Sequence, residues 1–61
     1  MKKTNFIVIT DKENNKKTAI NINEIELVYG TIANSTIIIT KKTKIDCKEK
    51  FDEIMEKLGV L

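Results

Sequence analysis

Apolar and polar positions alternate in short runs along most of the chain, which is the pattern of β-strands that bury one face. Residues 18–23 and 25–29 alternate most clearly. Three further runs, at residues 5–10, 35–40 and 43–45, are rich in β-branched side chains and are bounded by polar turn residues. These features predict about five short strands, and their short connections favour antiparallel neighbours.

The hydrophobic period changes to that of a helix after the last of these strands. The apolar residues there follow the spacing of a single helix face and are Cys47, Phe51, Ile54, Met55 and Leu58. Asp46 is a favourable N-cap, and Glu49 three residues later completes a capping-box pattern. Gly59 suits the left-handed position that follows a helix. The pattern therefore predicts a helix over residues 47–58.

Together these elements predict a single α+β domain over residues 1–61, in which a small antiparallel β-meander is followed by one C-terminal helix. Two strands are apolar on both sides of the pleat, at residues 6–9 and 37–39. One helix covers only one face of a sheet. Either the sheet curls into a small barrel, or another subunit covers its second face.

The size of the chain favours association between subunits. Small domains usually need a disulfide, a metal or a partner subunit for stability. The single cysteine excludes an internal disulfide, and without histidine there are too few ligands for structural zinc. We therefore expect no metal and no cofactor, but a homo-oligomer. The interface residues predicted from the doubly apolar strands are Phe6, Val8, Ile37 and Ile39.

Two observations favour a cytoplasmic location. A lone thiol, Cys47, is typical of a reducing compartment. The apolar run at residues 6–9 follows the basic Lys2 and Lys3 but is shorter than the ~7–15 residues of a signal peptide or the ~20 of a membrane span. We expect a cytoplasmic protein that does not enter a membrane.

The chain is poor in the residues that catalysis requires. It has one serine, one cysteine and no histidine, so no nucleophile has an imidazole base. Cys47 shares an apolar stripe with Phe51, which favours core packing over reactivity. Gly30 and Gly59 are the only glycines, so there is no glycine-rich phosphate loop. We expect that the protein is not an enzyme.

The charges offer one candidate binding cluster. The net charge is only +2 and arginine is absent, which makes nucleic acid an unfavourable partner. Lys41, Lys42 and Lys44 form either a solvated strand edge or an anion contact repeated by symmetry. Tyr29 is either a core-facing ring or a platform that stacks on a ligand base. With Asn34, these residues are the candidates for contact with a protein partner or a small nucleotide-like ligand.

A second line of inference comes from a resemblance over residues 18–58. The positions that carry it are Ile20-Asn21, Ile25-Glu26, Val28, the run at 35–40, Ile45, Glu49 and the helical Phe51, Ile54 and Leu58. In these positions the chain resembles the FlbD-like family of small proteins associated with flagellar and swarming motility. The resemblance implies a small β-rich fold without known chemistry.

Three functions are compatible with the sequence. The one we favour is a small oligomeric regulatory protein that acts through protein–protein interaction. The second is a phage- or prophage-encoded anti-defence protein that blocks a host protein or sequesters a nucleotide signal between subunits. The third is an RNA-binding module similar to CsrA-type dimers, which share the order of strands followed by a helix. Those dimers rely on an arginine near the end of the strands, and this chain has none.

Overall fold

The computed structural model describes residues 5–60 and has an α+β fold. Five short antiparallel strands precede one helix, as predicted. The elements are β1 (Phe6–Thr10), β2 (Lys17–Asn21), β3 (Ile25–Gly30), β4 (Thr36–Thr40), β5 (Lys44–Cys47) and α1 (Phe51–Leu58). A single 3-10 turn, Ile22–Glu24, joins β2 to β3. The basic Lys2 and Lys3 lie outside the described residues.

The strands form two sheets rather than one continuous meander. β1 and β2 pair as a hairpin, and β3, β4 and β5 form a three-stranded sheet that we call the meander. The two sheets touch at one corner, where Asp11 forms an isolated antiparallel bridge with Cys47. There Lys12 N–H donates to the Asp46 carbonyl at 2.8 Å and Lys48 N–H donates to the Thr10 carbonyl at 2.9 Å. The hairpin is therefore hydrogen-bonded to the meander at this corner.

The core lies between the two sheets and is closed by the helix. The hairpin contributes Ile7, Ile9 and Ile20, whereas the meander contributes Ile38 and Cys47 and the helix Ile54. Ile9, Ile38, Cys47 and Ile54 have no exposed surface at all. Each fully buried isoleucine contributes about 1.5–3 kcal/mol. Ile7 and Ile9, two positions apart on β1, therefore share the inward face of the hairpin.

Asparagine and threonine side chains set the tight turns. Asn15 in the β1–β2 turn and Asn34 in the β3–β4 turn have left-handed backbones, with φ of 62° and 63°. Asparagine tolerates this conformation better than most residues. In the β4–β5 turn, the Thr40 hydroxyl oxygen accepts hydrogen bonds from the N–H groups of Lys42 and Thr43 at 3.2 and 3.0 Å.

The predicted start of the helix was wrong by four residues. Asp46 and Cys47 belong to β5, which pairs with β4 through Cys47 and Thr36. The helix begins at Phe51, where Lys50 N–H donates to the Glu53 carboxylate at 3.0 Å. Strand pairing on both sides of Cys47 satisfies its backbone better than a helical turn would. The predicted C-terminal end is confirmed, since Gly59 is left-handed with φ of 79°.

Candidate interaction surface

The three strands of the meander turn one set of side chains inward and the other outward. Val28, Ile38 and Ile45 are paired with one another and pack in or against the core. The outward apolar residues are Leu27, Tyr29, Ile37 and Ile39, which we call the meander face. Tyr29 pairs with Ile37 and Leu27 pairs with Ile39, so the four side chains adjoin across the ladder.

Much of this apolar surface is open to solvent. Leu27 is 52% exposed and Tyr29 is 41% exposed, although both neighbour large aliphatic side chains. Ile39 is half-buried, and Ile37 at the centre is only 7% exposed within its own protomer. The meander face therefore has a covered centre and an exposed apolar margin.

The charged margin of the meander face comes from β5. Asp46 pairs with Ile37 and Lys44 pairs with Ile39, so both charged residues share the outward side of the sheet. Lys44 is exposed and Asp46 is half-buried. The Asp46 Oδ1 atom is shielded from solvent and has no hydrogen-bond partner among residues 5–60. A carboxylate oxygen in this position is unusual, because most buried polar atoms are paired.

The hairpin also has an outward apolar surface, which we call the hairpin face. It consists of Phe6, Val8 and Ala19, of which Phe6 is 52% and Val8 is 50% exposed. Phe6 pairs with Asn21, and Val8 pairs with the small side chain of Ala19. Its apolar side chains therefore stand beside small or polar neighbours.

The structure separates the four predicted interface residues into two pairs. Phe6 and Val8 lie on the hairpin face, whereas Ile37 and Ile39 lie on the meander face. Both faces point away from the core that lies between the sheets. Leu27, which the predicted interface did not include, lies beside Ile39 and is more exposed than any other residue of the meander face. The sequence places Leu27 on the face opposite Val28 but does not show which of these two apolar residues turns outward.

The predicted ligand residues do not converge within one protomer. Asn34 lies in the β3–β4 turn, and Lys41 and Lys42 lie in the β4–β5 turn at the other end of β4. A five-residue strand spans roughly 17 Å. Tyr29 and Lys44 share the outward side of the meander but lie on strands separated by β4. The Tyr29 ring is outside the core cluster, so the core-facing interpretation was wrong.

Two concave regions include residues of β5. The larger, about 490 Å³, lies between the β1–β2 turn and β5 and is lined by Asp11, Lys12, Glu13, Lys44, Ile45 and Asp46. Lys44 is the only predicted ligand residue that lines it. The smaller, about 250 Å³, opens beside β2, and Lys42 is among the residues that line it. The mixed charges of the larger region give no consistent preference for an anion.

Glu49 fastens the segment after β5 to the end of β1. Thr10 N–H donates to Glu49 Oε1 at 2.9 Å, and the Thr10 hydroxyl donates to Oε2 at 3.0 Å. The Thr36 hydroxyl donates to the Glu49 carbonyl at 2.7 Å. Burial alone would raise the pKa of Glu49, but the hydrogen bonds from Thr10 outweigh it and lower the pKa. The predicted role of Glu49 in a capping box was therefore wrong, because its carboxylate binds Thr10.

Cys47 is part of the core, as its apolar neighbours predicted. Its side chain has no exposed surface and contacts the cluster that contains Ile9 and Ile54. Burial, together with the nearby Glu49 carboxylate, raises the pKa of the Cys47 thiol. A buried thiol with a raised pKa is a weak nucleophile.

Two further findings concern membrane-spanning helices and similarity to known proteins. None of the helices within residues 5–60 is long and apolar enough to cross a membrane. No family model, curated protein or solved structure matches the chain.

Proposed function

We propose that this protein is a small, non-enzymatic binding protein that self-associates and regulates a partner through protein–protein contacts. The observation that carries the proposal is the meander face. There Leu27 and Tyr29, 52% and 41% exposed, adjoin the aliphatic side chains of Ile39 and Ile37. Contiguous exposed apolar surface of this kind is typical of interaction sites.

The occupant that we propose for the meander face is a second copy of the chain. A closed two-fold dimer uses the same patch on both subunits. Each apolar side chain that is buried in one subunit is therefore also buried in the other. Covering the exposed half of Leu27 contributes about 1 kcal/mol per copy. For a domain this small, such a contribution is a large part of the usual net stability.

The absence of catalysis and the cytoplasmic location are parts of the same proposal. The one thiol is buried and has a raised pKa, which does not suit a nucleophile. A free thiol in the core is also compatible with a reducing compartment. The FlbD-like pattern remains a prediction from the sequence and is compatible with a regulatory role.

Sequestration of a nucleotide between subunits is the less favoured function. It requires Tyr29, Asn34 and the lysines of the β4–β5 turn to be brought together by assembly, because one protomer keeps them apart.

Native mass spectrometry of the purified protein tests the proposed function. We expect an oligomer at micromolar concentration whose mass is an integer multiple of the chain mass. A monomer under these conditions would contradict the proposal. An oligomer that retains an additional mass of nucleotide size would instead support sequestration, and the retained molecule could be released and identified.

A further inference from the structure

The pairing register of the meander arranges its outward side chains in two rows that cross all three strands. The first row contains Tyr29, Ile37 and Asp46. The second row contains Leu27, Ile39 and Lys44. Successive outward residues on a strand are about 7 Å apart, which is therefore the separation of the rows.

We propose that two copies of the chain pack meander face to meander face around a two-fold axis that crosses the strands at the level of Ile38. This axis lies in the plane between the two packed meanders, one from each copy. It runs perpendicular to the strands and passes midway between the two rows. It places the first row of each copy over the second row of the other. The inference rests on the self-association in the proposed function and specifies its geometry.

The side chains that this axis brings together are complementary on every strand. Tyr29 on β3 lies over Leu27 of the partner subunit, and Ile37 on β4 lies over Ile39 of the partner subunit. On β5, the Asp46 carboxylate lies over Lys44 of the partner subunit, and the symmetry repeats the pair. Packed sheets are about 10 Å apart, a gap that aspartate and lysine side chains together can bridge.

The charges also disfavour a two-fold axis that runs parallel to the strands. An axis parallel to the strands would place β5 of one copy over β3 of the other. Lys44 and Asp46 would then be covered by Leu27 and Tyr29 of the partner subunit, which strips two charges of water without pairing them. Burying unpaired charge is strongly unfavourable, so the crossing axis is preferred.

The partly desolvated carboxylate of Asp46 favours a nearby cation. Its Oδ1 atom is shielded from solvent and receives no hydrogen bond from residues 5–60. An incompletely solvated carboxylate gains more from a nearby ammonium group than a fully hydrated carboxylate does. The second copy supplies that group through its own Lys44.

Charge reversal tests the inference on the full-length chain. The variants are Lys44→Glu, Asp46→Lys and the double variant with both changes. The control is Lys16→Glu in the β1–β2 turn, which changes the net charge by the same amount as Lys44→Glu. The dimer dissociation constant is measured by sedimentation at low salt. We expect each single variant to weaken the dimer at least about tenfold, because it creates like-charge pairs at two symmetric places. The double variant should return to within about threefold of the wild type, because the pairs are restored with reversed sign.

The outcomes separate the geometry from the proposed function. A wild-type monomer would overturn both. A wild-type dimer that Lys44→Glu weakens no more than Lys16→Glu would overturn the two-fold arrangement and leave self-association in place. A double variant as weak as the worse single variant would also overturn it. Lys44 is exposed, so Lys44→Glu keeps the test valid even if Asp46→Lys does not fold.

Discussion

The hairpin face and the meander face differ although their most exposed residues are equally open to solvent. Phe6 on the hairpin face and Leu27 on the meander face are each 52% exposed. Leu27 belongs to a surface three strands wide, whose central Ile37 is already covered and whose border is charged. Phe6 stands beside Asn21 on a sheet of only two strands. The exposed apolar side chains of the meander face thus adjoin other large apolar side chains, whereas those of the hairpin face stand beside small or polar neighbours. Continuity rather than exposure therefore distinguishes the two faces.

The largest effect is expected from shortening the central residue of the meander face. Ile37→Ala should lower the free energy of unfolding by about 2–4 kcal/mol, because Ile37 is almost fully buried within the protomer. Val8→Ala, on the hairpin face, should cost less than about 1 kcal/mol, since half of its side chain is already in water. Urea denaturation of both variants measures the difference. Equal losses would show that the two faces are packed alike.

A matched pair of polar substitutions tests which face self-associates. Leu27→Ser removes apolar surface from both subunits of the dimer. The loss corresponds to about 1.5–3 kcal/mol, or a roughly 10- to 150-fold weaker dissociation constant. Phe6→Ser removes a side chain of equal fractional exposure from the hairpin face. Sedimentation of dilution series should show a weaker dimer only for Leu27→Ser. A weaker dimer for Phe6→Ser alone would assign self-association to the hairpin face.

Replacing Glu49 tests how much its contact with Thr10 stabilises the packing of the hairpin on the meander. Glu49→Gln should lower the free energy of unfolding by about 1 kcal/mol at neutral pH, because the charged acceptor for Thr10 is replaced by a neutral one in a partly exposed site. Glu56→Gln on the exposed side of α1 is the control and should change little. Chemical denaturation of the three proteins gives these values. No loss for Glu49→Gln would mean that the core alone holds the hairpin.

The same carboxylate gives the protein an acid-sensitive contact. The folded pKa of Glu49 lies below its ordinary value of 4.5, so its contribution to stability is fully present above that value. The contribution is lost as the pH falls from 4.5 through the folded pKa. Wild-type stability should therefore fall more steeply over this range than that of Glu49→Gln. Parallel pH profiles for the two proteins would contradict the lowered pKa.

An effect as small as that of Glu49→Gln is expected at the two left-handed asparagines. Asn15→Ala in the hairpin and Asn34→Ala in the meander should each cost about 1 kcal/mol, because alanine is strained at positive φ. Asn15→Gly and Asn34→Gly are the controls and should cost less, since glycine adopts this conformation freely. Thermal unfolding distinguishes the four variants. A loss at only one turn would show that the two sheets depend differently on their turns.

The sequence predicts those strands, turns and helix ends whose signal lies within a few consecutive residues. The strands follow from short β-branched runs, and alternation places Leu27 and Tyr29 together on the face opposite Val28. It does not show which of these apolar faces turns inward, and Tyr29 was expected to face the core. The left-handed turn at Asn14-Asn15 and the end of the helix at Gly59 follow from residue types that favour positive φ. Each of these features is determined within a few residues of chain.

The features that the sequence did not predict depend on distant contacts. Residues 45–47 fit both a strand and the start of a helix, and the choice depends on pairing with Thr36 and Asp11. The contact between Glu49 and Thr10 joins residues 39 positions apart. The separation of Asn34 from Lys41 and Lys42 follows from their places at opposite ends of β4. Local periodicity carries no information about such contacts.

The most direct test of the account is a search for contacts between two copies of the chain by isotope-filtered NMR. A sample that mixes labelled and unlabelled protein reports only those nuclear Overhauser effects that join different subunits. We expect such effects between the Tyr29 ring and the Leu27 methyl groups, and none from Phe6 or Val8. Contacts confined to Phe6 and Val8, or no contacts between subunits at all, would contradict it.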